Sequence, residues 1–149
     1  MVPELRVPVS RVEVEIALAA AEPRTVTLFL PPDGAVGDLL EGPGEVFVPV
    51  EEDGRVRFFL RAAIASLTIH DPPADSEVDG LPRDRRRVVV RLAGGAGVEG
   101  ELRWVRTSPN ARTMDVLNQP SASFALHRAD GSVVHVAKRH VVTVEEVAS

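Results

Sequence analysis

The 149-residue chain has no cysteine and no tyrosine, a single tryptophan (Trp104), a single lysine (Lys138), and aromatic residues at only 4%. Without cysteine there is no disulfide framework, no thiolate zinc or iron–sulfur ligation and no thiol nucleophile. Few aromatics means few of the stacking platforms on which single-stranded nucleic acids are held. No run reaches the roughly 18 consecutive apolar residues of a membrane-spanning helix. The opening Met1-Val2-Pro3-Glu4-Leu5-Arg6 lacks the basic-then-apolar order of a secretion signal. A cytoplasmic protein that does not insert into membranes is expected. Gly-x-Ser-x-Gly elbows and Walker-type phosphate loops are missing. The adjacent carboxylates Glu51-Glu52 and Glu145-Glu146 would point to opposite faces of a strand, which suits acid–base chemistry poorly. The expectation is a protein that is not an enzyme and takes no cofactor.

What is present is an ordinary globular composition, 44% hydrophobic and 26% charged, enough to close a core. The net charge of −5 is unevenly laid out. Residues 1–80 carry six basic against fifteen acidic groups, a net of −9, while residues 81–149 carry eleven against seven, a net of +4. Opposite signs on two halves favour association, between the halves of one chain or head to tail between chains.

The two halves also match in sequence. Shifted by 77 positions, Asp38 falls on Asp115, Leu40 on Leu117, Pro43 on Pro120, Phe47 on Phe124, Asp53-Gly54 on Asp130-Gly131, Val56 on Val133, Arg61 on Lys138 and Ile64 on Val141. Upstream, a shift of 76 sets Val12, Val14 and Ile16 on Val88, Val90 and Leu92. Self-similarity at a fixed offset marks repeated structural units, and an internal duplication of about 11–69 into 86–146 is expected.

Each copy reads as short strands. Val12-Glu13-Val14-Glu15-Ile16 alternates apolar and acidic residues, the pattern of a half-buried strand. Thr25–Leu30 is β-branched and apolar, Glu45–Val50 and Arg55–Leu60 flank an Asp53-Gly54 turn, and Ile64–Ile69 is the fifth run. The second copy repeats the order at 87–92, 97–106, 121–127, 132–138 and 141–146. Between the second and third strands, Val36–Pro43 and Thr113–Pro120 each predict one helical turn, with Thr113 as a cap and Leu40 and Leu117 as its buried residues. The predicted fold is all-β: two tandem five-stranded small β-barrels of the Sm/SH3-like kind, each with one short helical turn. Residues 1–70 form the acidic first barrel, 71–83 a Pro/Asp-rich linker, and 84–149 the basic second barrel.

The second copy resembles a Sm-like unit, through Val88–Leu92, the glycine-rich turn, Val98–Leu102 and the closing pair His135–Val144. Lys138-Arg139 stands where that superfamily has an Arg-Gly step, and Asp115-Val116-Leu117-Asn118 replaces its Asp-x-x-Met-Asn loop, so its base-stacking residues do not carry over. Arg112–Asn118 is also similar to the Arg-x-x-Asp-x-Leu-Asn turn of uncharacterised bacterial small β-domains, a likeness that implies no activity.

Three groups of residues remain as candidate sites. His127, His135 and His140 lie near one another in sequence, but an Asp130-Gly131 two-residue turn would send His127 and His135 to opposite faces, so no metal site is expected. Arg83, Arg85, Arg86 and Arg87 form the densest basic cluster, a candidate anion site. Arg83 and Arg87 match the Arg-x-x-x-Arg of PilZ domains, which implies a cyclic dinucleotide, although the companion strand motif is missing. The fourth strand is apolar on both faces, which marks Val48, Val50, Arg57 and Phe59 as a candidate interaction surface beside a Pro49-bearing edge. A non-enzymatic protein-interaction or self-assembly module is the leading expectation, with a protein partner or homo-oligomer. Nucleic-acid or cyclic-nucleotide binding by the basic half is the alternative.

Overall fold

The computed structural model describes residues 10–31, 34–41, 44–72, 83–105 and 112–147. The strands are β1 (Ser10–Leu18), β2 (Arg24–Leu30), β3 (Phe47–Glu52), β4 (Arg55–Leu60) and β5 (Ile64–Ile69), then β6 (Arg83–Leu92), β7 (Gly97–Val105), β8 (Ser123–His127), β9 (Val133–Ala137) and β10 (Val141–Glu146). A five-residue 3-10 turn (Val36–Leu40) separates β2 from β3, and the equally short helix α1 (Thr113–Leu117) separates β7 from β8. The protein is all-β. None of its helices among the described residues is long and apolar enough to cross a membrane.

The ten strands form one open antiparallel sheet in the order β10-β6-β7-β8-β9-β5-β1-β2-β3-β4. This differs from the two separate barrels expected from the sequence. The reason is a ladder between the halves, where β5 pairs with β9 through Ser66↔Val136, Leu67↔His135, Thr68↔Val134 and Ile69↔Val133. The sheet still divides into two blocks with the same internal order, β5-β1-β2-β3-β4 and β10-β6-β7-β8-β9. Each block has its own core. Val14, Ile16, Val26, Leu28, Val50, Ile64 and Leu67 dominate the first, and Val88, Val90, Leu102, Leu126, Val134 and Val136 the second. The expected linker falls almost wholly on residues outside those described, and Arg83 already belongs to β6.

Strand pairing refines the match between the blocks. Both last strands bulge at the same place: the ladder skips Ala65 between Leu18↔Ile64 and Ala17↔Ser66, and skips Val142 between Val141↔Leu92 and Thr143↔Arg91. Those partners equate Leu18 with Leu92 and Ile16 with Val90, a shift of 74 rather than 76. The third strands are equivalent at a shift of 76, so Phe124 matches Val48 rather than Phe47. The cause is the hairpin turn. Asp53 and Gly54 (φ 52° and 75°) make a two-residue turn closed by Glu52↔Arg55. In the second block the Arg128 N–H donates to the Ser132 carbonyl at 2.9 Å across three residues, with Gly131 at φ 89°. From β4 to β5 and from β9 to β10 the shift of 77 holds, and each pair is joined by a three-residue 3-10 turn, Arg61–Ala63 and Lys138–His140.

The two helical turns lie where they were expected, but Thr113 is not the cap. Asp38 accepts the Ala35 N–H at 2.9 Å and Asp115 accepts the Arg112 N–H at 2.8 Å, each carboxylate reaching back over the start of its turn. Leu40 is buried in the first core, and Leu117 packs half-buried against the second.

Candidate interaction surface at the ends of the sheet

An open sheet has two edges, here β4 and β10. Unpaired strand edges present rows of free backbone donors and acceptors, ready to take another strand. The β4 edge is apolar as well as open. Val46, Phe47, Val56, Phe58 and Leu60 are 66%, 53%, 59%, 67% and 41% exposed, and together they account for five of the seven large hydrophobic residues that face solvent among the described residues. The other two are Met114 in α1 and Val142 on β10. Register explains the cluster, since Leu60 lies opposite Phe47 and Phe58 opposite Pro49, so these side chains share the sheet face away from the core.

The interaction residues expected from the sequence are thereby reassigned. Val48, Val50 and Phe59 are buried on the other face, inside the first core, because that face of β3 and β4 closes over β1 and β2. Only Arg57 of that group is exposed, and its Nε lies 3.2 Å from Glu52. The alternate residues Val56, Phe58 and Leu60 were missed. What identifies them is the position of β4 at the sheet's end, which no local pattern encodes.

The seam between the blocks shows what such an edge looks like when covered. Ala65 at the β5 bulge is 4% exposed and packs in the second core, while Ala137 of β9 packs in the first. Gly37 in the first block lies so close to His135 of β9 that a Cβ there would meet Nδ1 at 2.9 Å. Glu41 binds across the seam, accepting the Ala122 N–H at 2.8 Å and the Ser123 hydroxyl. Burial pushes the Glu41 carboxyl up, but the Ser123 and Ala122 donors and the nearby Lys138 charge outweigh it, so its pKa lies below the usual value. His140 donates from Nε2 to the Ala62 carbonyl at 2.7 Å.

The histidine geometry corrects the sequence reading. With three residues in the β8–β9 turn, His127 lies opposite Val133 and His135 opposite Ala125, so both point to the same face. Burial, and then electrostatic repulsion between the two imidazoles as His127 and His135 protonate, hold the His135 imidazole below its ordinary pKa, with Asp38 pulling the other way. Among the described residues, no three His, Cys, Asp or Glu side chains converge on a point that could hold a metal ion.

The basic cluster lies wholly on β6, including Arg83, which was expected at the end of the linker. Alternation along β6 puts Arg83, Arg85 and Arg87 on one face and Arg86 on the other, so the four do not converge. Arg87 is paired to Glu99 at 2.8 Å, and Arg85 lies opposite Arg103, which is held by Glu101 at 2.8 Å. A shallow depression beside them is lined by Arg83–Arg87, Glu101 and Val147.

No family model, no curated protein and no solved structure matches this chain.

Proposed function

We propose that the chain is a non-enzymatic protein-interaction module, built from two copies of a small five-stranded β-unit, that docks through the open ends of its sheet. One observation carries this reading: among the described residues, most of the exposed large apolar side chains gather at a strand edge that no other described strand pairs, instead of scattering over the surface. A free edge with a row of apolar side chains offers both elements of strand addition, backbone bonds for affinity and side chains for register. The reading is tested by sedimentation of the full chain at rising concentration beside Phe58→Asp. The wild type is expected above the 16.0 kDa monomer, and the variant at the monomer with an unchanged circular dichroism spectrum. A wild type that stays monomeric at about 0.2 mM, and whose β4 amides exchange freely in its host extract, overturns it.

A second reading, anion binding by the basic block, draws support from the shallow depression lined by Arg83, Arg85, Arg86 and Arg87. Its test is retention on RNA or on a cyclic dinucleotide at low salt, lost in Arg85→Ala. Wild-type protein that is not retained on either ligand removes it.

A further inference from the structure

The strand positions joined at the inner seam, fourth against fifth, are the ones left open at the two ends, β4 and β10. We infer that the occupant of the β4 edge is β10 of a second copy of this chain, paired in the register that β5 and β9 already use inside the molecule. The inference rests on the reading that the sheet ends dock, and it names the partner.

Moved by the shift of 77 that holds across these strands, the seam ladder becomes a ladder between chains. Thr68↔Val134 turns into Glu145↔Arg57, Leu67↔His135 into Val144↔Phe58, and Ile69↔Val133 into Glu146↔Val56. The solvent-facing apolar residues then find their places. Val142 is 66% exposed at the bulge where its counterpart Ala65 is 4% exposed, and Leu60 is 41% exposed where Ala137 is 3% exposed. Ala65 and Ala137 are buried by the neighbouring block, and a second copy would bury Val142 and Leu60 in the same way. Gly37 lies against His135 across the seam, and the corresponding pair between copies is Met114 and Phe58, which are 63% and 67% exposed. A thioether beside an aromatic ring is a favourable contact.

Charge selects this pairing over the alternatives. The ladder sets Glu145 opposite Arg57 with Arg55 diagonal to it, all three exposed. Pairing β4 with β4 would set arginines against arginines, and β10 with β10 would set glutamates against glutamates. The seam positions Thr68 and Val134 carry no charge, so the contact between copies is the salt-sensitive version of the inner one. It is head to tail, and therefore closes into a ring or continues as a filament.

The lack of native cysteine gives a clean test. Chains carrying Arg57→Cys and chains carrying Glu145→Cys, both at exposed positions, are mixed and oxidised. Directly opposed residues in an antiparallel pair lie within disulfide reach. A mixed disulfide dimer is expected from the pair, little from either variant alone, and loss of the product when Arg55→Cys replaces Arg57→Cys. The inference is overturned if Arg57→Cys alone cross-links as well as the mixture. It is also overturned if no mixed product forms while the wild type assembles and Phe58→Asp abolishes assembly; that result leaves docking through β4 standing with a different occupant. A wild type that never associates overturns the inference alone if its β4 amides are protected in host extract, and takes both down together if they exchange freely there.

Discussion

Ala65 and Val142 occupy the same bulge in the same kind of strand, yet one is 4% exposed and the other 66%. The difference lies in the cover. β5 has a strand on each side, β1 and β9, whereas among the described residues β10 has only β6. Composition follows the cover. β5 runs Ile64-Ala65-Ser66-Leu67-Thr68, uncharged and buried throughout, while β10 runs Val141-Val142-Thr143-Val144-Glu145-Glu146 and ends on two exposed carboxylates. A strand buried on both faces tolerates no charge, and an edge strand uses charge to discourage indiscriminate pairing. The same residue position therefore serves stability at the seam and association at the end.

The comparison is broken most severely by a truncation at the seam. Leu67 is fully buried and sits in the β5–β9 ladder. Leu67→Ala is expected to cost about 2–5 kcal/mol in denaturant unfolding, from lost transfer energy plus the cavity left behind. Its counterpart Val144 is only half-buried, and Val144→Ala should cost clearly less. Equal losses at the two sites would mean that the seam is no better packed than the free edge.

Next in size is Glu41, whose carboxylate satisfies donors from the opposite block. Glu41→Ala leaves the part-buried Ala122 N–H and Ser123 hydroxyl to water and is expected to cost about 0.5–1.5 kcal/mol. The pH dependence has a definite sign. The folded pKa lies below the unfolded value of 4.5, so the contribution is present above pH 4.5 and is lost as pH falls through the depressed folded value. Acid unfolding curves of wild type and Glu41→Ala should accordingly converge at low pH; curves that stay parallel would deny the carboxylate its role across the seam.

Much of this fold was legible before any coordinates. Alternation in Val12–Ile16, the Asp53-Gly54 turn and the Asp38 and Asp115 helical turns are local signals, and each lies where its residues point. The joining of β5 to β9 is not local, because pairing between blocks leaves no periodic mark on either strand. One cue was available in retrospect: β5 lacks the charges that β10 carries, as a two-sided strand should. The histidine faces were misplaced for a smaller reason. A single extra residue in the β8–β9 turn changes the register by one, and one step in register reverses which face a side chain takes. The candidate surface differs for another reason: the β3–β4 register is the expected one, but the core lies on the face that takes Val48, Val50 and Phe59, which leaves Phe47 and Phe58 exposed on the other.

A gentler probe of the seam uses His135. Its folded pKa is below the unfolded 6.5, so the unfolded chain takes up the proton first and stability falls as pH drops below 6.5. The slope from one such group is at most about 1.4 kcal/mol per pH unit. Titrating stability from pH 7.5 downward, His135→Gln should flatten the portion just below 6.5 and leave the Glu41-dependent portion intact. The same slope in both proteins would assign the proton uptake elsewhere.

The smallest effect is the most discriminating. Val142 is a large apolar residue that contributes little to the core of its own chain, being 66% exposed. In dilute solution Val142→Ala should change unfolding stability by no more than about 0.5 kcal/mol, as for surface substitutions in general. At concentrations where the wild type associates, the two proteins should separate: the valine gains from burial in a neighbouring copy and the alanine cannot, so the midpoint of wild-type unfolding rises with protein concentration while that of the variant rises less. Identical concentration dependence would mean that Val142 stays in solvent in the assembly, and the equivalence between the bulge at the seam and the bulge at the edge would end at the level of backbone geometry.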